Sequence, residues 1–185
     1  MYTIITTTGF IISARPYNEA GKMFSIFTRD LGLVLVVAQG IRLEKSKLRY
    51  HTQEYSFGTF SVVRGKEFWR LTSADSDKYR IDMVLVRMAT LLKRLLQGED
   101  PHPELFDCLE ATACMSNSIS SERVLELESL TALRILHLLG YIGDIETIRP
   151  FVQSLDITKE LLVQLVPLRL KVNGIINNAL QASHL

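Results

Sequence analysis

From Thr8 to Ala74 apolar and polar positions alternate in short β-branched and aromatic runs, broken by Gly, Pro and charged turns. A period of two predicts strands. Five are expected, at Gly9 to Arg15, Lys22 to Arg29, Leu33 to Gln39, Tyr55 to Arg64 and Glu67 to Ser73, with Gly32 and Gly65 at hairpin turns. Five short strands are too few for a sandwich, and a flat sheet would leave its edges open. Closure into a small barrel of the OB type removes them. The longest break between strands, Gly40 to Glu54, carries charge and room for extra structure.

Beyond Asp82 the period lengthens to that of a helix. Val84, Leu85, Met88, Leu91, Leu92, Leu95 and Leu96 fall on one stripe that ends at Gly98. A second helix is expected to open at Pro103, where a missing amide costs nothing, and to run towards Ser116. Ser121 is the expected N-cap of a third, with Leu125, Leu130, Leu133, Leu136 and Leu139 facing inward and a stop at Gly140. Asp156 is expected to cap a short helix through Val166. Pro167 is expected to open the last, with Leu168, Val172, Ile175, Ile176 and Leu180 inward.

The pattern therefore predicts an α+β protein in two parts: an N-terminal five-stranded OB-fold β-barrel over residues 1–80, followed by an all-α helical domain over 81–185. The join, Asp75 to Asp82, is short and polar rather than Gly/Ser-rich, so the helical domain is expected to pack on the barrel.

Charge changes the picture. The net charge of +1 hides two opposite halves. Residues 1–80 hold twelve Lys and Arg against seven Asp and Glu, a net +5, and residues 81–185 hold nine against thirteen, a net −4. An electrostatic footprint on the barrel is one reading and drift of surface charge is the other. Cys108 and Cys114 match neither a zinc knuckle nor a redox pair, and buried free thiols are expected. No leader and no membrane-length apolar run is visible, which suggests a cytoplasmic protein.

Catalytic chemistry finds little support. Gly40 to Lys47 places Lys45 and Ser46 after a glycine, as a phosphate-binding loop does, but Glu44 stands where such a loop needs a second glycine. His51, His102, His137 and His184 lie in separate segments without metal-ligand spacing. His137, within an apolar helix, reads as a hydrogen-bonded core or interface histidine. No nucleophile elbow or paired carboxylate pattern occurs. No catalytic residue, metal or cofactor is expected.

The cations carry more information. Arg42, Lys45, Lys47 and Arg49 follow strand three, opposed by Glu44, while Arg64, Lys66 and Arg70 flank the last hairpin. Arg15, Lys22 and Arg29 on the first two strands complete the candidate set. On an OB barrel such residues meet phosphates, and aromatic side chains lie under bases. If Trp69 points inward, alternation puts Phe68 beside Arg70 at the surface, a stacking platform next to a phosphate contact. Phe68 packing beneath a loop or the helical domain is the other reading. No recognition helix with a basic face is visible.

The series Arg15-Pro16-Tyr17-x-Glu19, Phe27-Thr28-Arg29-x-x-Gly32 and Ala38-x-Gly40-x-Arg42, with Lys45-Ser46-Lys47 after it, resembles the barrel of the bacterial RecO family of DNA repair proteins. Gln53, Val63-Arg64-Gly65 and Leu71-Thr72 fit its remaining strands, and Leu130 to Tyr141 is similar to its central helix. The resemblance implies a recombination mediator that binds single- and double-stranded DNA and anneals complementary strands. With RecR, it would help RecA replace the single-strand-binding protein SSB. It also implies that the acidic tail of SSB docks on the helical domain, for which Arg123 and Arg134 are candidates. Two departures stand out: Ile142 to Phe151 lacks the four-cysteine zinc module that many relatives carry after this helix, and the chain is shorter than is usual in the family.

Two other classes are carried alongside. An interaction adaptor would use the barrel to bind an acidic protein, and an enzyme acting on nucleic acid would need clustered carboxylates for a metal, which the sequence lacks.

Overall fold

The computed structural model describes residues 3–76, 79 and 81–182. The boundary expected at Arg80, and His184, lie outside the described residues. The chain divides into two compact units, residues 1–81 with 96–106, and 82–95 with 107–185.

In the first unit, strands β1 (Ile4–Tyr17), β2 (Gly21–Thr28), β3 (Gly32–Ala38), β4 (Phe57–Arg64) and β5 (Trp69–Ser76) close into a barrel in the order β1-β2-β3-β5-β4. β1 begins five residues earlier than its alternation predicts, because Ile4–Thr8 pairs with β4 (Ile4 opposite Val63, Thr8 opposite Thr59). The second half of β1 pairs with β2, and one long strand thus serves two partners. A bulge between Ile11 and Ser13 adds the bend this double duty needs. β3 and β5 run parallel, through Val36 opposite Trp69 and Val37 opposite Arg70. A parallel pair requires a crossover, and the connection from β3 to β4 supplies it with a 3₁₀ turn, Lys47–His51, whose Leu48 packs against the barrel core.

That core is Ile11, Phe24, Ile26, Val34, Val36, Phe60, Val62, Trp69 and Leu71, one face of every strand. Segment 96–106 belongs to the same unit. Gly98 O accepts from Leu33 N at 3.2 Å. Gly32, at φ +72°, lies so close that an added Cβ would sit 2.3 Å from Asp100 O, so glycine is required there for both torsion and space. Phe106 packs against both Phe27 and Phe57 on the outer surface of the barrel, tilted to the first ring and edge to face with the second, each at 5.9 Å.

The second unit is helical. The helices are α1 (Met83–Leu95), α2 (Pro103–Ser116, whose first residues fall in the barrel unit), α3 (Val124–Leu138), α4 (Arg149–Val152), α5 (Lys159–Leu165) and α6 (Arg169–Ala182). The Leu-rich α3 is the hub and touches α1, α4, α5 and α6. It is joined to α2 by a buried Thr112–Thr131 hydroxyl pair at 3.0 Å. Gly140, at φ +79°, ends α3 as expected, with Tyr141 N donating back to Leu136 O at 2.8 Å.

Four local expectations are corrected. Ser121 does not cap α3: it opens a 3₁₀ turn, Ser121–Arg123, and α3 starts without a side-chain cap. Thr158 rather than Asp156 caps α5, its hydroxyl accepting from Leu161 N at 3.2 Å. Leu125 is exposed, since one turn on the inward stripe passes through Leu127 instead. Cys108 is buried as expected, whereas Cys114 is exposed.

Candidate nucleic-acid interface

Strand alternation that sends Phe24, Val36 and Leu71 inward sends their neighbours out. The register aligns four of these across the sheet: Arg15 opposite Met23, Met23 opposite Val37, and Val37 opposite Arg70. One row across β1, β2, β3 and β5 thus has an exposed arginine at each end and two buried apolar side chains between them. Arg15 Nη2 lies 3.1 Å from Met23 Sδ, so the guanidinium stem roofs the apolar middle while its head stays in water.

The next positions along the strands are aromatic and amide. Tyr17 ends β1, Gln39 follows β3, and Phe68 precedes β5. Tyr17 and Phe68, both half-buried, meet edge to face at 6.1 Å and 76°. Trp69 is buried, so Phe68 and Arg70 do share the outer side of the barrel. Two hollows open there. One of about 290 Å³ is lined by Tyr17, Gln39, Lys66, Glu67, Phe68 and Arg70, among others. The other, of about 330 Å³, is bounded by Tyr17, Asn18, Glu19, Gln39 and Gly40. The first lies at the β4–β5 turn, the second at the β1–β2 turn. Arg42 stands at the rim of the second, its Nη1 donating to Glu19 O at 3.3 Å and its backbone N–H to Ala20 O at 3.0 Å.

Other cations of the expected set lie elsewhere. Lys45, Lys47 and Arg49 belong to the β3–β4 connection, where Arg49 stacks over the exposed Tyr50 ring at 5.1 Å. Lys22 turns to the opposite side of β2 from Met23, and Arg29 sits in the β2–β3 turn at the far end of that strand. Arg64 is engaged: its Nη1 lies 2.6 Å from Glu99 Oε2, and its guanidinium is 5.0 Å from the Trp69 ring centre. Sequence reasoning missed Tyr17 and Gln39. Their signal is register, which becomes visible once Tyr17 is known to pair with Gly21.

In the helical unit the two partner candidates separate. Arg123 borders a hollow of about 440 Å³ with Lys159, Glu122, Ile119, Leu162 and Val163, two cations and one carboxylate beside an apolar wall. Arg134 is 1% exposed. Its guanidinium donates to Phe151 O at 2.7 Å, Leu155 O at 2.8 Å and Asp156 O at 3.0 Å, so its donors are committed to the fold and it is withdrawn as a surface contact. Burial lowers its pKa, opposed by the neighbouring Cys108 and Asp156. His137 Nδ1 donates to Ile142 O at 3.0 Å, as a packed histidine does. Among the described residues no group of three or more His, Cys, Asp or Glu could hold a metal ion, and no helix is long and apolar enough to cross a membrane.

The strand order and the placement of both turns beside the same outward face define an OB-barrel protein with an attached helical unit. Comparison with known proteins agrees. The family described as recombination protein O, N terminal, matches residues 1–79. The DNA repair protein RecO of Desulfitobacterium hafniense (strain DSM 10664 / DCB-2) is 25% identical over 139 residues, covering 71% of this chain and 50% of that protein. RecO of Alkaliphilus metalliredigens is 26% identical over 148 residues, 76% of this chain and 58% of that protein. RecO of Clostridium perfringens reaches 35% over 69 residues, 37% of this chain and 28% of that protein. The chain is similar to RecO proteins, its residues 1–79 to their N-terminal part, and it spans about half to three-fifths of the length of the first two of these relatives.

Proposed function

We propose that this chain is a DNA-binding recombination mediator that acts in DNA repair without bond chemistry of its own. Its barrel binds single- and double-stranded DNA and anneals complementary strands. With RecR it helps load RecA onto SSB-coated single strands. The observation that supports this reading is the outward row from Arg15 to Arg70 with Tyr17 and Phe68 beside it, because OB barrels take oligonucleotides on this face between these two turns. Phosphates meet the arginines and release counterions, so affinity falls with salt.

Fluorescence anisotropy of a labelled single strand between about 50 and 200 mM salt tests it. Each lost phosphate contact lowers the logarithmic salt slope by about 0.7, so Arg15→Ala with Arg70→Ala is expected to lower it by roughly 1 to 2. The same measurement on Arg42, Lys45, Lys47 and Arg49 changed together to Ala reports whether the strand continues along the β3–β4 connection. Unchanged slopes in both variants would remove the barrel face from the mechanism.

The helical hollow beside Arg123 and Lys159 supports docking of the acidic, apolar-ended SSB tail, since it offers cations next to Leu162 and Val163. The competing adaptor reading is separated by pull-downs with and without nuclease: capture of protein that survives nuclease while oligonucleotides fail to bind favours the adaptor.

A further inference from the structure

We propose that the two hollows on the barrel face are subsites for successive unpaired bases, with Tyr17 as the shared stacking wall that selects single strands over the sugar-phosphate backbone alone. This rests on the reading of the barrel as a DNA-binding face. It goes beyond it by assigning base contacts to Tyr17 and Gln39.

Tyr17 and Gln39 line both hollows, and no other residue of either lining does so. They therefore stand as a partition between the two. Each hollow is near the lower limit of small-molecule sites, about 300 Å³, a size that suits one planar ring and not a longer ligand. The partition carries the Tyr17 ring, and Phe68, in edge-to-face contact with that ring, adds a second aromatic side chain to the lining of the first hollow. Polar groups surround the rings: Lys66 and Arg70 stand where phosphates beside the first base would lie, and Arg42 does the same for the second. Glu67 also lines the first hollow, and a carboxylate there repels phosphate but accepts from the amino groups of base edges. The lining is therefore arranged for a base inside and its phosphates at the rim.

Stacking needs a free π face, which a base inside a duplex does not have. Phosphate contacts alone do not distinguish a strand with bases from one without. The experiment uses the full chain and three labelled probes of equal length: an oligothymidylate, an abasic strand with the same phosphates, and a duplex. The wild type is expected to bind oligothymidylate about tenfold more tightly than the abasic strand. Tyr17→Leu, which keeps apolar bulk in place, is expected to abolish that ratio without changing the salt slope, and Tyr17→Phe to restore it. The inference is overturned if the wild type binds both strands alike, or if Tyr17→Leu keeps the ratio or lowers both affinities equally. Absence of binding to all three probes at low salt would overturn the DNA-binding reading as well, a different outcome from equal binding.

Discussion

Glu99 accepts the indole proton of Trp69 at 3.1 Å, although thirty residues separate them and Glu99 lies beyond α1 in the chain. The same carboxylate holds Arg64, whose guanidinium in turn lies over the Trp69 ring. Segment 98–100 thereby ties the start of β5 to the β2–β3 turn, where Gly98 and Asp100 meet Leu33 and Gly32.

The Glu99 carboxylate occupies Arg64 as a phosphate would. Glu99→Gln keeps an acceptor for Trp69 and releases the arginine. Stability is expected to fall by less than about 1 kcal/mol, since both partners of the ion pair are half-exposed. Affinity for single strands should rise by up to about fivefold at low salt. Glu99→Ala also strips the indole of its partner and should cost about 1–2 kcal/mol. Denaturant midpoints and anisotropy titrations measure the two effects, and an unaltered affinity in Glu99→Gln would exclude Arg64 from anion binding.

Arg134 is a structural cation. Three backbone carbonyls, from Phe151, Leu155 and Asp156, accept from this one guanidinium, and removing it takes a donor from each of them in a largely buried place. Arg134→Ala is expected to destabilise the protein by about 3 kcal/mol or more. Arg134→Lys should recover part of this, because one ammonium cannot span the three acceptors. Arg123→Ala should stay within about 0.5 kcal/mol of the wild type. Chemical denaturation, with amide exchange across 151–156, measures this, and a cost below about 1 kcal/mol for Arg134→Ala would refute the role.

The strands were legible because their alternation is a local property of the chain. Phe24, Ile26, Val34 and Val36 declare their face two residues at a time. The first half of β1 was not, since Ile4–Thr8 has weak alternation and owes its strand state to β4, more than fifty residues away. Arg134 deceived for the same reason. Within α3 it reads as a charge between apolar residues, and the carbonyls that hold it come from α4 and the loop after it. The barrel face was half legible: Phe68 and Arg70 follow from alternation in one strand, whereas Tyr17 and Gln39 join them through register across β1, β2 and β3.

Helix caps illustrate the limit at a finer scale. By residue type Ser121 has a slightly better claim as a cap than Thr158. The hydroxyl of Thr158 is in place on Leu161 N, while Ser121 lies inside a 3₁₀ turn. Thr158→Ala is expected to cost about 1 kcal/mol and Ser121→Ala a few tenths at most. Thermal or urea unfolding of the two variants side by side decides it, and equal losses would show that the Thr158 bond contributes nothing.

Cys108 gives the protein an alkaline limit. Burial pushes its thiol from the ordinary value of 9.0 up to about 11, and the charge of Arg134, with a hydrogen bond from it, offsets part of that rise. The folded chain therefore keeps a proton that the unfolded chain releases. Stability from this group is full below pH 9 and is lost as pH climbs towards 11, because in that window the unfolded state binds fewer protons and each pH unit favours it. Up to about 3 kcal/mol is at stake across the window, two units at about 1.4 kcal/mol each. Tyrosines and lysines also titrate there, so the wild type must be compared with Cys108→Ala. The variant is expected to start less stable at pH 8 and to decline less steeply to pH 11, the two curves converging. Thiol labelling gives an independent reading: the exposed Cys114 reacts at once in native protein, and Cys108 reacts on unfolding. Parallel stability curves for the two proteins from pH 8 to 11 would mean that the buried thiol is not the group that titrates.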